Sequence, residues 1–478
     1  MLSPSRLIET GSRRLSALDA SFLRMESSEA HMHVGWSALL DPAEGRGRPT
    51  LPALRRRVAS RLDRLDWCRW RLQRAPLGLS EPRWVRDEAF DVEAHVRALS
   101  RPAEAVSYGR FEQLRDAILS EPLDLSRAPW EICLVPRLQD GRVALVGKVH
   151  HSLVDGVAAL QVVQLIVDEP EQGDDEVAPS GARARTAPST TGRLSPVQWA
   201  ADEAAHVARA GLGVTRSLVG AAVRPLGAAA SLVRDARSFL DTARTDLLPR
   251  APDSPLDTPL STRRTLVGYR ARRSLLRDAR AAGGGTLNDL GLTAVAGAVR
   301  TLAIDRGQPP DAPLKAMVPV SMRAPHEDGP GNRISMVYIQ LPVDLDTPAQ
   351  RLAAVRAETQ ALKSSGRPDG TETLYVAAGL VPAPLRAPMV KALSSPRAFN
   401  LTISQAPGPR GDVHVLGAKL AEVYSVVPLT ERHALAIGMI RYRRELFIGC
   451  YADPVALPEV TRLPELLDAE LRALAQDG

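Results

Sequence analysis

The sequence predicts a mixed α/β protein built as two halves around one cleft. Three observations carry that expectation. The chain has 478 residues, 44% of them hydrophobic and 24% charged, enough for a large core and too apolar for wholesale disorder. At roughly 100–200 residues per domain, this length is two or three domains, or two large halves sharing a site. Strand-type and helix-type patterns are mixed on both sides of a compositional break, without the regular βα alternation of a doubly wound sheet.

The elements can be taken in order. Thr50 followed by Pro52 opens a helix through Arg61, with Thr as N-cap and Pro in the first turn. Arg110–Ser120 is a helix ended by Pro122. Arg142–His150 is a strand, with Val143, Leu145 and Val149 at alternate positions of an apolar run, and Gly156–Val167 is a buried helix. From Asp168 to about Pro196 the chain turns acidic, then rich in Pro, Ser, Thr, Ala and Gly, as in a flexible linker. Gln198–Arg250 is Ala-rich and helical in character, and Ala251–Ser261 is loose, with three prolines. Beyond it, Asn288–Arg306 is a helix stopped by Gly307, and Thr347-Pro348 starts another to about Ser364. Ile334–Val343 and Leu435–Tyr451 are strands, the latter a hairpin around Arg443-Arg444. The expected division is an N-terminal subdomain over 1–167, a linker and helical connector over 168–262, and a C-terminal subdomain over 263–478.

Composition excludes several function classes. Cys68, Cys133 and Cys450 are too few and too far apart for a disulfide framework or a paired-Cys zinc site, and read as buried small hydrophobes. The first thirty residues carry four arginines and no apolar run of signal-peptide length, and no charge-free stretch reaches the ~18 residues of a membrane span. The protein is therefore expected in the cytoplasm. No phosphate-cradling G-x-x-x-x-G-K-[ST], dinucleotide G-x-G-x-x-G after a strand, or G-x-S-x-G elbow occurs. The net charge of +6 rests on 61 cations, only five of them Lys, and the arginines form no single stripe; with 4% aromatic residues, no nucleic-acid partner is expected.

One constellation remains: Val149-His150-His151-Ser152-Leu153-Val154-Asp155-Gly156, where an apolar strand gives way to a helix. In extended backbone His150 and His151 point to opposite faces, so only one can meet a substrate while the other packs inside. Asp155 is close enough to order the turn or an imidazole, and Gly156 permits a tight bend. One exposed neutral imidazole serves as a general base at neutral pH. A zinc site would need i, i+4 histidines or a further His or Cys nearby, so no metal is expected. Ser152 as a nucleophile lacks an elbow, whereas a structural histidine pair with Asp155 as helix N-cap reads the same residues equally well.

HHxxxDG is the signature of the CoA-dependent acyltransferase superfamily, which spans chloramphenicol-acetyltransferase-like enzymes, peptide-synthetase condensation domains and plant acyltransferases. Further blocks make the chain resemble the bacterial wax ester synthase/diacylglycerol acyltransferase family. Leu18-Asp19-Ala20-Ser21-Phe22-Leu23 with Met32-His33-Val34-Gly35 is similar to its N-terminal block. Pro122-Leu123-Asp124 with Pro129-Trp130-Glu131 resembles its PLW region, carrying Ala128-Pro129-Trp130 instead. Asn288-Asp289 resembles its ND motif; Val318-Pro319-Val320-Ser321-Met322-Arg323 followed by Gly331-Asn332 matches another block; and Ser404-Gln405-Ala406-Pro407-Gly408-Pro409 resembles its NVPGP motif. The likeness runs from about residue 15 to 455, with the linker unmatched.

The resemblance implies two chloramphenicol-acetyltransferase-like subdomains, each a mixed sheet with helices, with a cross-over connection and a tunnel at their interface. It implies His151 as catalytic base, His150 as its interior partner, and Asp155 as an ordering residue paired with an arginine, for which Arg323 is the candidate. Gly156, Asn288, Asp289, Ser404, Pro407 and Gly408 are then expected at the substrate, Asn288 as a polar group near the reacting centre; a helix N-cap reads Asn288 equally well. His31 and His33 are expected in the core. The implied reaction moves a fatty acyl group from acyl-CoA, a co-substrate with no separate cofactor, to diacylglycerol or a long-chain alcohol. Another hydroxyl or amine acceptor, or a lipid-surface protein without turnover, are the alternatives; the intact His151, Asp155 and Gly156 argue against the latter. The basic connector over 198–250, with seven Arg against three Asp between His206 and Arg250, reads either as a membrane- or lipid-inclusion-binding segment or as crossover helices on the protein surface.

Overall fold

The structure, a computed structural model, describes residues 12–43, 47–75, 81–154, 156–169, 199, 250–322, 331–332, 334–364, 390–391, 394–406, 408–409 and 411–476. The N-terminal half contributes β1 (Ser12–Arg14), α1 (Ala17–Met25), β2 (His33–Asp41), α2 (Leu51–Arg61), β3 (Trp70–Gln73), β4 (Arg83–Arg86), α3 (Val92–His95), β5 (Val96–Ala98), α4 (Tyr108–Ser120), β6 (Trp130–Val135), β7 (Val143–His150) and α5 (Gly156–Gln164). The C-terminal half contributes β8 (Thr265–Ala271), α6 (Arg273–Gly283), α7 (Leu287–Asp305), β9 (Leu314–Ser321), β10 (Ile334–Leu341), α8 (Pro348–Ser364), β11 (Leu401–Ala406), β12 (His414–Val415), β13 (Ala418–Val426), β14 (Leu435–Tyr442), β15 (Glu445–Ala452) and α9 (Leu463–Gln476).

Local chemistry sets most of these boundaries. Thr50 caps α2, its hydroxyl accepting the Ala53 N–H, and Ser107 does the same for α4 from Arg110. At the β14–β15 hairpin Arg443 and Arg444 both hold left-handed backbone, φ 52° and 65°, the two positive angles that a two-residue turn needs to match strand twist. β7 is buried along its whole length.

Two six-stranded mixed sheets result, ordered β12-β13-β2-β7-β6-β5 and β10-β9-β11-β14-β15-β8, beside a small β1-β4-β3 sheet. The first large sheet is not confined to the first half of the chain. β13 pairs antiparallel with β2, so a strand from the C-terminal half completes the N-terminal sheet. The expected C-terminal subdomain over 263–478 is therefore corrected: the segment carrying β12 and β13 belongs to the other half's core. Strand alternation looks the same whichever sheet a strand joins, so sequence pattern alone does not assign it.

The connector boundaries also shift. Asp168, expected to open the linker, is an anchor: its carboxylate accepts the Arg57 guanidinium at 2.6 Å and the Leu416 and Gly417 N–H groups at 3.0 and 2.7 Å. At the other end, Ala251 donates to the Arg397 carbonyl and Ala434 to the Leu256 carbonyl, so residues 250–262 pack on the C-terminal half. Between these ends, 170–198 and 200–249 lie outside the described residues.

α7 is long and apolar enough, by length and composition, to cross a membrane, but 72% of that stretch is buried within the protein, as in a core helix. It packs between α8, α9 and the C-terminal sheet around a bidentate ion pair: Arg351 Nε and Nη2 donate to the two Glu470 oxygens, each at 2.7 Å, with both side chains buried. Gly297 makes room for it, since a Cβ there would sit 2.2–2.6 Å from the Glu470 carboxylate. Arg351→Ala leaves that carboxylate buried without its guanidinium, and the expected loss is about 3–5 kcal/mol of folding stability, read from urea unfolding. A loss below about 1 kcal/mol would contradict a buried pair that ties three helices together.

Candidate active site

β7 ends at His150 and the chain turns through His151–Val154 into α5. The turn is held through its backbone from three directions. His150 N–H donates to the Pro129 carbonyl at 2.9 Å and His151 N–H to the Met32 carbonyl at 2.8 Å. Gly331 N–H, from the C-terminal half, donates to the Leu153 carbonyl at 2.8 Å. Pro129 is fixed in turn by its neighbour Trp130, fully buried, whose indole N–H donates to the Cys68 carbonyl at 2.6 Å.

The two imidazoles part at the end of the strand, His150 closing β7 and His151 opening the turn. His150 is fully buried, with the Ser152 N–H donating to its Nδ1 at 3.1 Å and the Ser152 hydroxyl 2.7 Å from the same nitrogen. Because Nδ1 accepts, the proton sits on Nε2, which faces Glu26 Oε2 at 3.3 Å. Burial raises the Glu26 carboxyl, but the His150 hydrogen bond and the Met32 N–H lower it, leaving it below its ordinary value. His151 faces the other way, stacked on Phe22 with ring centroids 3.9 Å apart and planes 7° from parallel. Its imidazole forms part of the wall of a cavity of about 860 Å³.

α1 and its C-cap provide three residues here: Asp19 and Phe22, at i and i+3 on the helix, and Glu26, which caps it in extended backbone. Asp19 closes a capping box with Ser16, and its Oδ1 accepts both the backbone N–H and the side-chain amide of Asn332, at 2.8 and 2.7 Å. The same Asn332 amide nitrogen donates to the His151 carbonyl at 2.7 Å. One amide from the C-terminal half thus joins the N-terminal helix to the His151 turn. Sequence reasoning placed Asp19 and Asn332 in family blocks without a role, and did not single out Glu26; only the three-residue spacing of Asp19 and Phe22 hinted at a shared helical face.

The remaining expected site residues separate. Ser404, on β11, and Gly408 line the cavity with His151. Gly408 is required there, since a Cβ would fall 1.6 Å from the Arg441 carbonyl oxygen. Asn288 and Asp289 are not among the residues lining this cavity. Asp289 Oδ2 accepts the Thr286 N–H and hydroxyl, both at 2.8 Å, and its Oδ1 accepts the Thr359 hydroxyl at 2.9 Å. Thr286-x-x-Asp289 is a capping box ahead of an apolar run, with Thr286 and not Asn288 as N-cap. Gly156 is the first residue of α5, and Asp155, Arg323 and Pro407 lie outside the described residues. His31 and His33 are buried as expected, His33 in register with His150 and with its Nε2 3.3 Å from the Tyr451 hydroxyl. Among the described residues, no group of three His, Cys, Asp or Glu side chains could hold a metal.

Two mixed sheets, with a His150-His151 turn between a strand and a helix beside an apolar cavity, make up a CoA-dependent-acyltransferase-type fold. Residues 15–290 match the wax ester synthase/diacylglycerol acyltransferase catalytic domain and residues 330–475 the C-terminal domain of the same family. The chain belongs to that family of acyltransferases. It is 31% identical to a Mycobacterium tuberculosis protein named as a diacylglycerol O-acyltransferase, over 96% of this chain and 90% of that one. A Mycobacterium bovis protein of the same name is 30% identical over 96% and 98%. The solved wax ester synthase/diacylglycerol acyltransferase of Marinobacter aquaeolei VT8 superposes with a TM-score of 0.66 at 24% identity, covering 97% and 98% of the two chains. The starter condensation domain of rhizomide synthetase, solved with C8-CoA and Leu-SNAC, has the same fold at a TM-score of 0.58 and 14% identity, covering 98% and 93%.

Two outcomes follow from this geometry. Asn332→Ala removes the hydrogen bond to the His151 carbonyl, worth about 1–3 kcal/mol, so kcat should fall by roughly ten- to a hundred-fold with acyl-CoA KM nearly unchanged. An unaltered kcat would show that His151 does not depend on this amide. The second concerns pH. Burial, then the Lys148 charge, holds His33 well below its ordinary 6.5, and burial lowers His433 as well. Both are neutral when folded but protonate below 6.5 when unfolded, so their share of stability is complete above 6.5 and lost as pH falls toward their folded values. Each contributes a slope of up to about 1.4 kcal/mol per pH unit. Asp257, raised by burial to about 7, has the opposite sign and offsets only part of it. Urea unfolding at stepped pH should therefore show stability dropping below 6.5; a flat profile would contradict buried neutral imidazoles.

Proposed function

We propose that the protein transfers a fatty acyl group from acyl-CoA to the hydroxyl of diacylglycerol or a long-chain alcohol, with the His151 imidazole as general base. The observation that carries this reading is the position of His151 in the wall of a mostly apolar cavity to which both sheets contribute. Val34, Leu145 and Met32 come from the N-terminal half, and Met317, Met336 and Ile440 from the C-terminal half. Such walls suit aliphatic chains, which stabilise binding by about 0.8 kcal/mol for each methylene taken out of water.

In the proposed step His151 removes the hydroxyl proton as the oxygen attacks the thioester carbonyl. The C–S bond then breaks, and the imidazolium returns the proton to the departing CoA thiolate, giving an ester and free CoA. This proton transfer supplies roughly 10²–10⁴-fold; holding two chains in one cavity supplies much of the rest. The stacking of His151 on Phe22 fixes the plane of the ring, and the backbone bonds of the turn fix its reach. The diacylglycerol O-acyltransferase names of the mycobacterial relatives support the choice of acceptor. The step uses acyl-CoA as co-substrate and calls on no separate cofactor or metal. Apolar substrates favour work in the cytoplasm at a membrane or lipid-inclusion surface.

Purified protein given long-chain acyl-CoA with diacylglycerol or hexadecanol should release CoA, read with a thiol reagent, and form the ester. His151→Ala should reduce this by about 10²–10⁴-fold while leaving the fold intact by circular dichroism. CoA release by His151→Ala at the wild-type rate would overturn the assignment.

A further inference from the structure

The floor of the cavity is the N-terminal sheet, and its rows can be read from strand register. Along β7, Val149, Gly147 and Leu145 share the cavity face; along β2, Val34, Trp36, Ala38 and Leu40 do so. Trp36 pairs with Gly147 on one side and with Ser425 of β13 on the other, so that row holds one large side chain between two small ones. Gly147 is three residues from His150, about 10 Å at strand rise.

The indole lies directly on the glycine. A Cβ at Gly147 would sit 2.5–2.8 Å from Cε2, Cζ2 and Nε1 of Trp36, closer than side chains approach one another. The absence of a side chain at Gly147 is what allows the ring to lie down. Beyond this row the floor becomes fully aliphatic, with Leu145, Ala38 and Val423 in the next row and Leu40 and Leu420 in the one after. Trp36 is itself only partly buried and is among the residues lining the cavity.

We propose that Trp36, seated on Gly147, is the chain-length gauge of the N-terminal arm of the cavity. It forms a step that an aliphatic chain must clear before it gains the deeper rows. This rests on the acyl-transfer reading for its substrate, and the occupant is a saturated chain borne by either the acyl donor or the alcohol. The two residues act with opposite sign. Replacing the indole by a smaller side chain lowers the step; adding a methyl at Gly147 lifts the ring into the channel.

The test compares wild type with Trp36→Leu, Trp36→Phe and Gly147→Ala. The donor series is straight-chain acyl-CoAs of graded length with one fixed alcohol, and the acceptor series is alcohols of graded length with one fixed acyl-CoA. Affinity of each series, measured by calorimetry, accompanies kcat/KM. Trp36→Leu should move the preferred chain longer, by about four-fold in selectivity for each methylene that gains a wall, with Trp36→Phe intermediate. Gly147→Ala should move it shorter. The series that shifts identifies whose chain lies in this arm. If folded Trp36→Leu and Trp36→Phe keep the wild-type length profile in both series, by rate and by affinity, the gauge is refuted. If wild type binds the chains but releases no CoA with any acceptor, the acyl-transfer reading fails while the affinity profiles still decide the gauge.

Discussion

The side-chain amide of Asn332 holds two parts of the molecule that have no covalent reason to be near each other. It donates to Asp19 on the first helix and to the His151 carbonyl in the turn after β7, while its own backbone belongs to the opposite half. It is buried, so neither bond competes with bulk water. The position of the His151 turn therefore depends on the two halves being docked. The Gly331–Leu153 backbone bond sets the same approach from the adjacent residue.

The exchange of β12 and β13 is what makes this docking durable. A strand donated by one half to the sheet of the other cannot leave without breaking a full antiparallel ladder with β2. The junction is reinforced by Asp168, whose carboxylate holds the turn before β13 through two backbone N–H groups. Buried Lys148, next in β7 to the Trp36–Gly147 row, donates to the Ile118 and Glu121 carbonyls at the end of α4 and meets Glu131 at 2.9 Å. These contacts convert a pair of sheets into one cavity with fixed walls, which is what two aliphatic substrates and a single imidazole require.

Much of this was legible in the sequence where the signal is local. The Thr50 cap, the Arg443-Arg444 hairpin and the strand-to-helix transition at His150–Gly156 each depend on neighbouring residues, and the corresponding elements formed where the pattern placed them. The opposite facing of His150 and His151 matches the expectation for extended backbone. What was not legible depends on distant partners. Asp168 shares its acidic composition with the segment after it and differs only in meeting Arg57 and the β12–β13 turn. Asn288-Asp289 resembled a site motif, but the physically informative pair was Thr286 with Asp289, a capping box. Glu26, Asp19 and Asn332 gain their roles only when α1, β7 and the Gly331-Asn332 segment come together.

The dependence of the proposed base, His151, on docking is tested most directly by a double-mutant cycle between the halves, using Asp19→Asn, Asn332→Ala and the pair, with kcat/KM for CoA release as readout. If Asp19 acts on His151 through Asn332, the double variant should be no worse than the poorer single one, a coupling of about 1.4 kcal/mol or more for ten-fold single losses. Losses that simply multiply would show two independent contributions and would contradict a single amide bridge aligning the His151 turn.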